Sequence, residues 1–84
     1  MKYLTAGNET KKGVSLLLAF TKINSEPLCD AIFAHLCQGY NCSDAATLND
    51  VKQQHVSRAI KSLNEVAKKV EDVKNYHKEI MNIT

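Results

Sequence analysis

Residues 42–61 read CSDAATLNDVKQQHVSRAIK, and this stretch decides the fold. Ser43 precedes an aspartate, which predicts a helix start, because a serine side chain can accept a backbone N–H of the first turn. Residues 49–50 are Asn-Asp, short polar types that accept turn conformations. Residues 52–60 then resume a helical period. The stretch predicts a helix, a three-residue turn and a second helix, over about 43–61.

This stretch resembles, without a gap, the helix-turn-helix of bacterial transcription regulators. Ala46 is small where the two helices would cross, and Val51 would fill the angle between them. Val56 and Ile60 would face inward and hold the second helix. Asp50 stands at the turn position where glycine is usual, although aspartate adopts left-handed backbone less readily than glycine.

The outer face of the second predicted helix is polar and cationic. An Arg can bond a guanine edge bidentately and a Gln can bond adenine, while Lys and Ser groups satisfy phosphates. The N-terminal part of such a helix normally enters the major groove. The predicted base contacts are Gln53, Gln54, Ser57 and Arg58. The predicted phosphate contacts are Lys52, His55 and Lys61, with plain exposure as the alternative for His55.

Charge supports this interpretation by its position, not by its total. The 84 residues hold 11 Lys+Arg and 9 Asp+Glu, a net charge of +2, which is weak support for nucleic-acid binding. Residues 1–50 hold four Lys and five acids, giving −1, while residues 51–84 hold seven cations and four acids, giving +3. Residues 52–61 contain three cations and no acid. The alternative is that the cationic face belongs to an unrelated helical bundle and is simply exposed to solvent.

Two further helices are predicted upstream, in a single all-α domain over 1–84. Ser25 and the following Glu-Pro predict the start of a helix over 26–38, which Gly39 would end in left-handed backbone. Before it, Thr10 or Asn8 would cap a helix. That helix would carry Val14, Leu17, Leu18 and Ile23 on its apolar face. Residues 1–7 show no pattern, and we expect them to be frayed.

A heptad-like stripe runs along the C-terminal third. Its apolar or semi-apolar positions are 56, 59, 63, 66, 70, 73, 77 and 80, with no Gly or Pro between them. It predicts a long amphipathic helix, about 63–82, or two helices sharing a seam. Ser62-Leu63-Asn64-Glu65 matches a capping box, which favours a break there. The stripe could complete the monomer core or form an oligomer interface, for which the predicted residues are Val73, Tyr76, Ile80, Met81 and Ile83.

Cysteine and histidine placement gives little sign of metal or catalytic chemistry. Three cysteines at spacings of eight and five match no C-x-x-C motif. Small buried thiols explain them better than a zinc site, which would need Cys37, Cys42 and two of His35, His55 and His77. A nucleophilic pair of Cys29 or Cys42 with a histidine is a minor alternative. We expect His35 to be a hydrogen-bonded core residue and the chain to be no enzyme, with no cofactor, metal or small-molecule ligand.

No membrane or export segment is expected. The apolar run over 14–20 has seven residues, far below the roughly 20 that a membrane span needs. Thr21-Lys22 closes the run, and no small-x-small cleavage site follows it. We therefore expect a cytoplasmic protein without membrane contact.

A wider resemblance adds to these expectations. Residues 17–76 resemble the PapB-type family of fimbrial (adhesin) operon regulators in a Leu-Leu stretch, Ile23-Asn24-Ser25-Glu26, Cys37-Gln38-Gly39-Tyr40 and the helix-turn-helix. Residues 39–63 are also similar to KorA/TrfB-type plasmid repressors. Residues 52–57 depart from PapB-type members, which usually carry an Asn/Gly/Tyr/Phe-containing segment there. The resemblance implies an all-helical bacterial regulator, repressor or activator, that binds double-stranded DNA as a homodimer or higher oligomer. The alternative is a protein-interaction module or small adaptor that uses the C-terminal helix without DNA.

Overall fold

Four α-helices make up the protein, in a computed structural model that describes residues 3–83 and the side chains of residues 3–78. They are α1 (Lys11–Leu18), α2 (Glu26–Leu36), α3 (Cys42–Leu48) and α4 (Gln53–Ile83). No strand occurs among residues 3–83. The prediction of a small all-α bundle with a long C-terminal amphipathic helix is confirmed.

The first two helices begin where their capping residues predict. The Thr10 side chain accepts the backbone N–H three residues on at 3.0 Å, and Ser25 does the same for α2 at 3.5 Å. Gly39 follows α2 in left-handed backbone with φ of 87°, although the helix ends at Leu36, two residues before its predicted end. Val14, Leu17 and Leu18 lie in α1 as predicted, but Ile23 does not, because α1 ends at Leu18 and leaves Ile23 in the following loop.

The third helix begins earlier than predicted. Asn41, not Ser43, is its N-cap, since the Asn41 side chain accepts the backbone N–H of Asp44 at 2.7 Å. Asn41 has extended backbone, with φ of −69° and ψ of 166°, which an N-cap requires, while Ser43 already lies in the first turn. The helix-turn-helix corner formed by α3, the turn and the start of α4 therefore begins at residue 42, one residue before the predicted start at 43.

The N-terminal segment is packed against the bundle, so the prediction that residues 1–7 fray is wrong for the part from Tyr3 onwards. Leu4 is only 6% exposed, and the backbone N–H of Gly7 donates to the carbonyl of His35 at 3.2 Å. The last carbonyls of a helix lack partners within it, and this segment supplies one for α2. Met1 and Lys2 lie outside the described residues.

Helix α4 is continuous through the predicted break. A capping box at residues 62–65 would require Ser62 to leave helical geometry, yet Ser62 remains in the helix. The next two residues make tertiary contacts, because Leu63 is fully buried and the Asn64 side chain accepts hydrogen bonds from the N-terminal segment. At 1.5 Å per residue, the 31 residues of α4 span about 46 Å, close to the longest dimension of the protein, 52 Å.

Two groups of buried side chains form the core, and α2 contributes to both. The larger unites the N-terminal segment, α1, α2 and α4 through Leu4, Val14, Ile32, Leu36, Ala59 and Leu63. The smaller joins α2, α3 and α4 through Ala31, Ala34, Ala45, Ala46 and Val56. Alanines dominate the second group, so the three helix backbones can approach closely at the corner.

Burial falls steadily along the heptad-like stripe. Val56, Ala59 and Leu63 are buried, residues 66 and 70 are half-buried, and Val73 is exposed. The first part of the stripe is therefore monomer core. Val73, farther along the stripe, is not covered by the described part of this chain.

Candidate nucleic-acid interface

The turn between α3 and α4 has the backbone that the sequence predicts. Asp50 has a positive φ of 54°, and it is the single non-glycine residue with positive φ in the described part of the chain. The backbone N–H of Val51 closes the turn by donating to the carbonyl of Ala46 at 3.0 Å. Val51 is half-buried against the alanine-rich group, as predicted. The turn position at which the helix-turn-helix pattern favours glycine, occupied here by Asp50, thus has left-handed backbone conformation.

The first turn of helix α4 contains no carboxylate, and Lys52 directly precedes it. The carbonyl of Lys52 accepts backbone N–H groups from His55 and Val56, at 3.0 and 3.3 Å, which makes Lys52 the residue before the first turn. A lysine side chain has no acceptor with which to cap that turn. The first turn also contains no acid. The partial positive charge of this helix end is therefore not offset by carboxylates of its own first turn.

All seven predicted DNA contacts are exposed. Because α4 has 3.6 residues per turn, spacings of three, four and seven place Gln54, Ser57, Arg58 and Lys61 on one face, hereafter the outer face of α4. Gln53 and His55 lie about a quarter turn to either side of it by the same spacing. His55 lines a shallow groove that Leu28 and Arg58 also line.

The outer face is short and bounded by acids. From residue 53 to residue 61 the helix rises about 12 Å, similar to the width of the B-DNA major groove. Asp50 precedes this segment, and Glu65, four residues after Lys61, is the next charged residue on the same face. Both acids are exposed. The cationic surface thus has the length of one groove crossing.

The inward side of the same segment holds it in place. Val56 is fully buried, Ala59 is 5% exposed and Ile60 is half-buried. Ala46, where the helices were predicted to cross, is buried in the group that also contains Val56. The orientation of the outer face is therefore fixed by core packing.

Sequence reasoning missed Asn64 as a residue that supports this segment. Asn64 lies three residues beyond Lys61 on α4. Its side-chain oxygen accepts hydrogen bonds from the backbone N–H groups of Tyr3 and Leu4, at 2.9 and 3.0 Å. An Asn near an apolar stripe is a weak signal of such a contact. Sequence reasoning also missed the exposed Phe20 and Leu48, whose exposure depends on how the helices pack.

The cysteines and His35 form no metal cluster. His35 Nδ1 lies 2.7 Å from the carbonyl oxygen of Tyr40, so the predicted hydrogen bond is present, but the side chain is half-buried and does not belong to the core as predicted. Cys42 Sγ lies 3.8 Å from His35 Nε2. No group of three or more potential metal ligands occurs in the part of the chain that the structure describes. The predicted zinc alternative therefore has no assembled ligand set there.

The three thiols are half-buried, not fully buried as predicted, because the packing around them is incomplete. Even this partial burial affects the pKa of two of them. It raises the pKa of Cys29, and the carboxylates of Asp30 and Glu26 raise it further. Burial and the nearby Glu9 carboxylate raise the pKa of Cys37, against a smaller lowering by Lys11. Because the thiolate is the reactive form, these two side chains are poor nucleophiles.

Of the predicted oligomer interface, Val73 and Tyr76 are exposed, each at 65%. Ile80, Met81 and Ile83 lie outside the residues whose side chains are described. Among the described helices, none has the length and apolar character needed to cross a membrane.

Comparison with protein-family models, with curated proteins and with solved structures finds no match to this chain.

Proposed function

We propose that this protein is a sequence-specific double-stranded DNA-binding transcription regulator that acts as an oligomer through its helix-turn-helix. The observation that carries the proposal is the outer face of α4. It combines Gln54, Ser57, Arg58 and Lys61, all exposed, on a helix segment held rigidly by Val56.

Each group on this face suits a specific element of the duplex. The Arg58 guanidinium offers paired donors to the O6 and N7 of guanine, and the Gln54 amide can bond the N6 and N7 of adenine. Ser57 lies between them and can bind a base edge or a phosphate. Gln53 is a base-contact candidate at the edge of the same segment.

Phosphate contacts would set the register on the duplex. Lys61 closes the outer face at its C-terminal end, and Lys52 directly precedes the first turn of α4. A first turn without carboxylates is favourable for phosphate oxygens, because its free N–H groups and dipole attract anions. His55, beside the outer face, is assigned to a phosphate as well.

Self-association is part of the proposal because the charge of one chain is small. Three cations at residues 52–61 can neutralise few phosphates, and each further subunit of an oligomer adds its own cations and base contacts. We assign self-association to the far part of α4, through Val73, Tyr76, Ile80, Met81 and Ile83. The exposure of Val73 and Tyr76 supports this assignment.

The regulated gene follows from the resemblance alone. We propose a fimbrial (adhesin) or plasmid operon in the cytoplasm of a bacterium, by analogy with the PapB-type and KorA/TrfB-type families. Operator occupancy would repress or activate according to where the site lies relative to the promoter.

Selection from a randomised duplex pool tests the DNA assignment most directly. We expect enrichment of one sequence motif, with a half-site spacing that reports the symmetry of the bound oligomer. Fluorescence anisotropy with the selected duplex and a scrambled duplex, each at two salt concentrations, should show tighter and salt-dependent binding to the selected one. A pool that shows no enrichment, with no duplex bound at either salt concentration, contradicts the proposal.

The second candidate is a protein-interaction module without DNA binding. The exposed Phe20 and Val73, which line one groove on α4, favour it. A chain that assembles with protein partners but binds no duplex would support this candidate.

A further inference from the structure

Two separate apolar surfaces of this chain carry opposite charge at their edges. The first, called the α4 groove, has a volume of about 550 Å³ and is lined by Phe20, Val66, Lys69, Val70, Val73 and Lys74. The second, called the α3 patch, is formed by Tyr40 and Leu48 with Asp30 and Asp44 beside them. Neither surface includes the proposed DNA contacts.

The α4 groove exposes apolar side chains between two lysines. Phe20 is 74% exposed and Val73 is 65% exposed. At 3.6 residues per turn, Lys69 and Lys74 lie about 70° to either side of the apolar stripe, while Glu71 and Asp72 lie about 130° away. The groove is therefore bordered by positive charge on both sides, and Glu71 and Asp72 lie on the other side of the helix.

The α3 patch has the opposite arrangement. Leu48 is 62% exposed at the end of α3, and Asp44, four residues earlier, lies on the same face of that helix. Asp30 and Tyr40 line a second groove, of about 380 Å³, together with Leu48. Lys11 also lines that groove, with its ammonium group 5.6 Å from the centre of the Phe33 ring, so two carboxylates (Asp30 and Asp44) and one cation (Lys11) leave the patch with a net charge of −1. Exposed carboxylates therefore flank the apolar part of the patch.

Pairing of two α4 grooves would bring lysines against lysines, which like-charge repulsion disfavours. Pairing of an α4 groove with an α3 patch would cover both apolar surfaces and bring Lys69 and Lys74 to the carboxylates of Asp30 and Asp44. We propose that copies of this chain associate head to tail, with the α4 groove of one copy seated on the α3 patch of the next.

A head-to-tail contact uses different surfaces on the two partners, so each end of an assembly keeps one free surface. The chain would then form rings or open rows, not closed symmetric dimers. This inference rests on the self-association in the proposed function, but of the interface residues assigned there it uses only Val73. It does not rest on DNA binding, because Arg58 and Lys61 belong to neither surface. On DNA, neighbouring copies in a row would bind cooperatively.

The test is a charge exchange followed by sedimentation velocity without DNA. One variant carries Lys69→Glu and Lys74→Glu, and the other carries Asp30→Lys and Asp44→Lys. All four positions are exposed, so the fold should be kept, which circular dichroism checks. Because Asp44 lies in the first turn of α3, Asp30→Asn with Asp44→Asn serves as a milder second version.

We expect the unaltered chain to form species beyond the dimer as its concentration rises. Each charge-reversed variant alone should remain monomeric, and the Asn version should show at least a several-fold weaker association. An equimolar mixture of the two reversed variants, or one chain with all four changes, should assemble again.

A mixture that stays monomeric overturns the proposal, as does an unaltered chain that stays monomeric at high concentration. A symmetric dimer that only the lysine changes affect also overturns it. Duplex titration of the same variants separately reports whether DNA binding fails.

Discussion

Asn64 holds Leu4 in the core, since its Oδ1 accepts the backbone N–H of Leu4 at 3.0 Å while the Leu4 side chain is nearly buried. Asn64 Nδ2 also donates to the carbonyl of Ile60 at 3.3 Å. The N-terminal segment is therefore tied to α4 one turn after the proposed DNA contacts. It acts as a brace for the part of α4 that carries them.

Removal of this brace should destabilise the protein. We expect Asn64→Ala to lower the free energy of unfolding by about 1–3 kcal/mol, because two partly buried backbone N–H groups lose their acceptor. Asn75→Ala is the matched control, since Asn75 is exposed on the same helix and gains the same helix propensity. Urea denaturation measures both variants, and equal changes in the two would contradict a bracing role.

The left-handed turn makes a second prediction. Asp50→Gly should raise the free energy of unfolding by about 0.5–1 kcal/mol, because glycine adopts a φ of 54° without steric cost. Asp50→Asn removes the charge but keeps a side chain that tolerates this conformation, so it isolates the electrostatic part. Thermal denaturation compares the three proteins. A loss of stability in the glycine variant would show that the turn conformation is wrongly assigned.

The two ends of the apolar stripe should respond differently to truncation. Leu63→Ala should cost about 2–5 kcal/mol of unfolding free energy, because it leaves a cavity in the larger group of buried side chains. Val73→Ala should change that free energy by no more than about 0.5 kcal/mol in the dilute protein, since Val73 is exposed. At high concentration, Val73→Ala should weaken association in sedimentation. A large loss of monomer stability in Val73→Ala would place that residue in the core instead.

Within the outer face of α4, base and phosphate contacts should separate by their salt dependence. Arg58→Ala should cost about 1–3 kcal/mol on the selected duplex and relax its sequence preference. Lys61→Ala should weaken binding to all duplexes alike and reduce the salt slope by about 1. Lys78→Ala is the control, because it removes the same charge from an exposed position far along α4. If Lys78→Ala weakens DNA binding as much as Lys61→Ala does, the effect depends only on the total charge, and Lys61 makes no specific phosphate contact.

Two thiols should affect stability in alkaline solution. The pKa values of Cys29 and Cys37 are raised in the folded protein, mainly by burial, from an ordinary value of 9.0. The thiols of the unfolded chain keep this ordinary pKa, so the unfolded chain loses their protons at a lower pH than the folded protein does. The stability that the neutral thiols contribute is therefore fully present below pH 9.0 and declines as the pH rises above 9.0. A variant with Cys29→Ala and Cys37→Ala should therefore lose less stability than the unaltered chain between pH 8 and 10. Equal declines in urea denaturation would rule out this linkage.

Local signals in the sequence predicted much of this fold. The caps at Thr10 and Ser25, and the left-handed backbone at Gly39, depend on residues within a few positions of one another. The corner was predicted for the same reason, because its small and apolar positions follow the helical period. The exposure of the seven candidate DNA contacts also follows from that period.

Predictions failed where distant contacts compete with a local signal. A capping box at residues 62–65 is locally favourable, but Leu63 and Asn64 gain more from contacts with the core and the N-terminal segment inside an unbroken helix. Ser43 could cap α3, yet Asn41 does so, because the loop after α2 is already extended at that residue. Leu4 carries no periodic signal, since its burial comes from a contact sixty residues away along the chain.

The sequence by itself determined the helical class, the corner at residues 42–61 and the polar outer face of its second helix, because helical period and capping act over a few residues. Only the tertiary structure decided that α4 runs unbroken, that the N-terminal segment braces it and that the apolar stripe leaves the core after residue 70. Packing also decided that Phe20 and Leu48 stay exposed. These features depend on which surfaces meet in space, and the three short helices leave α4 uncovered at Val73 and Tyr76.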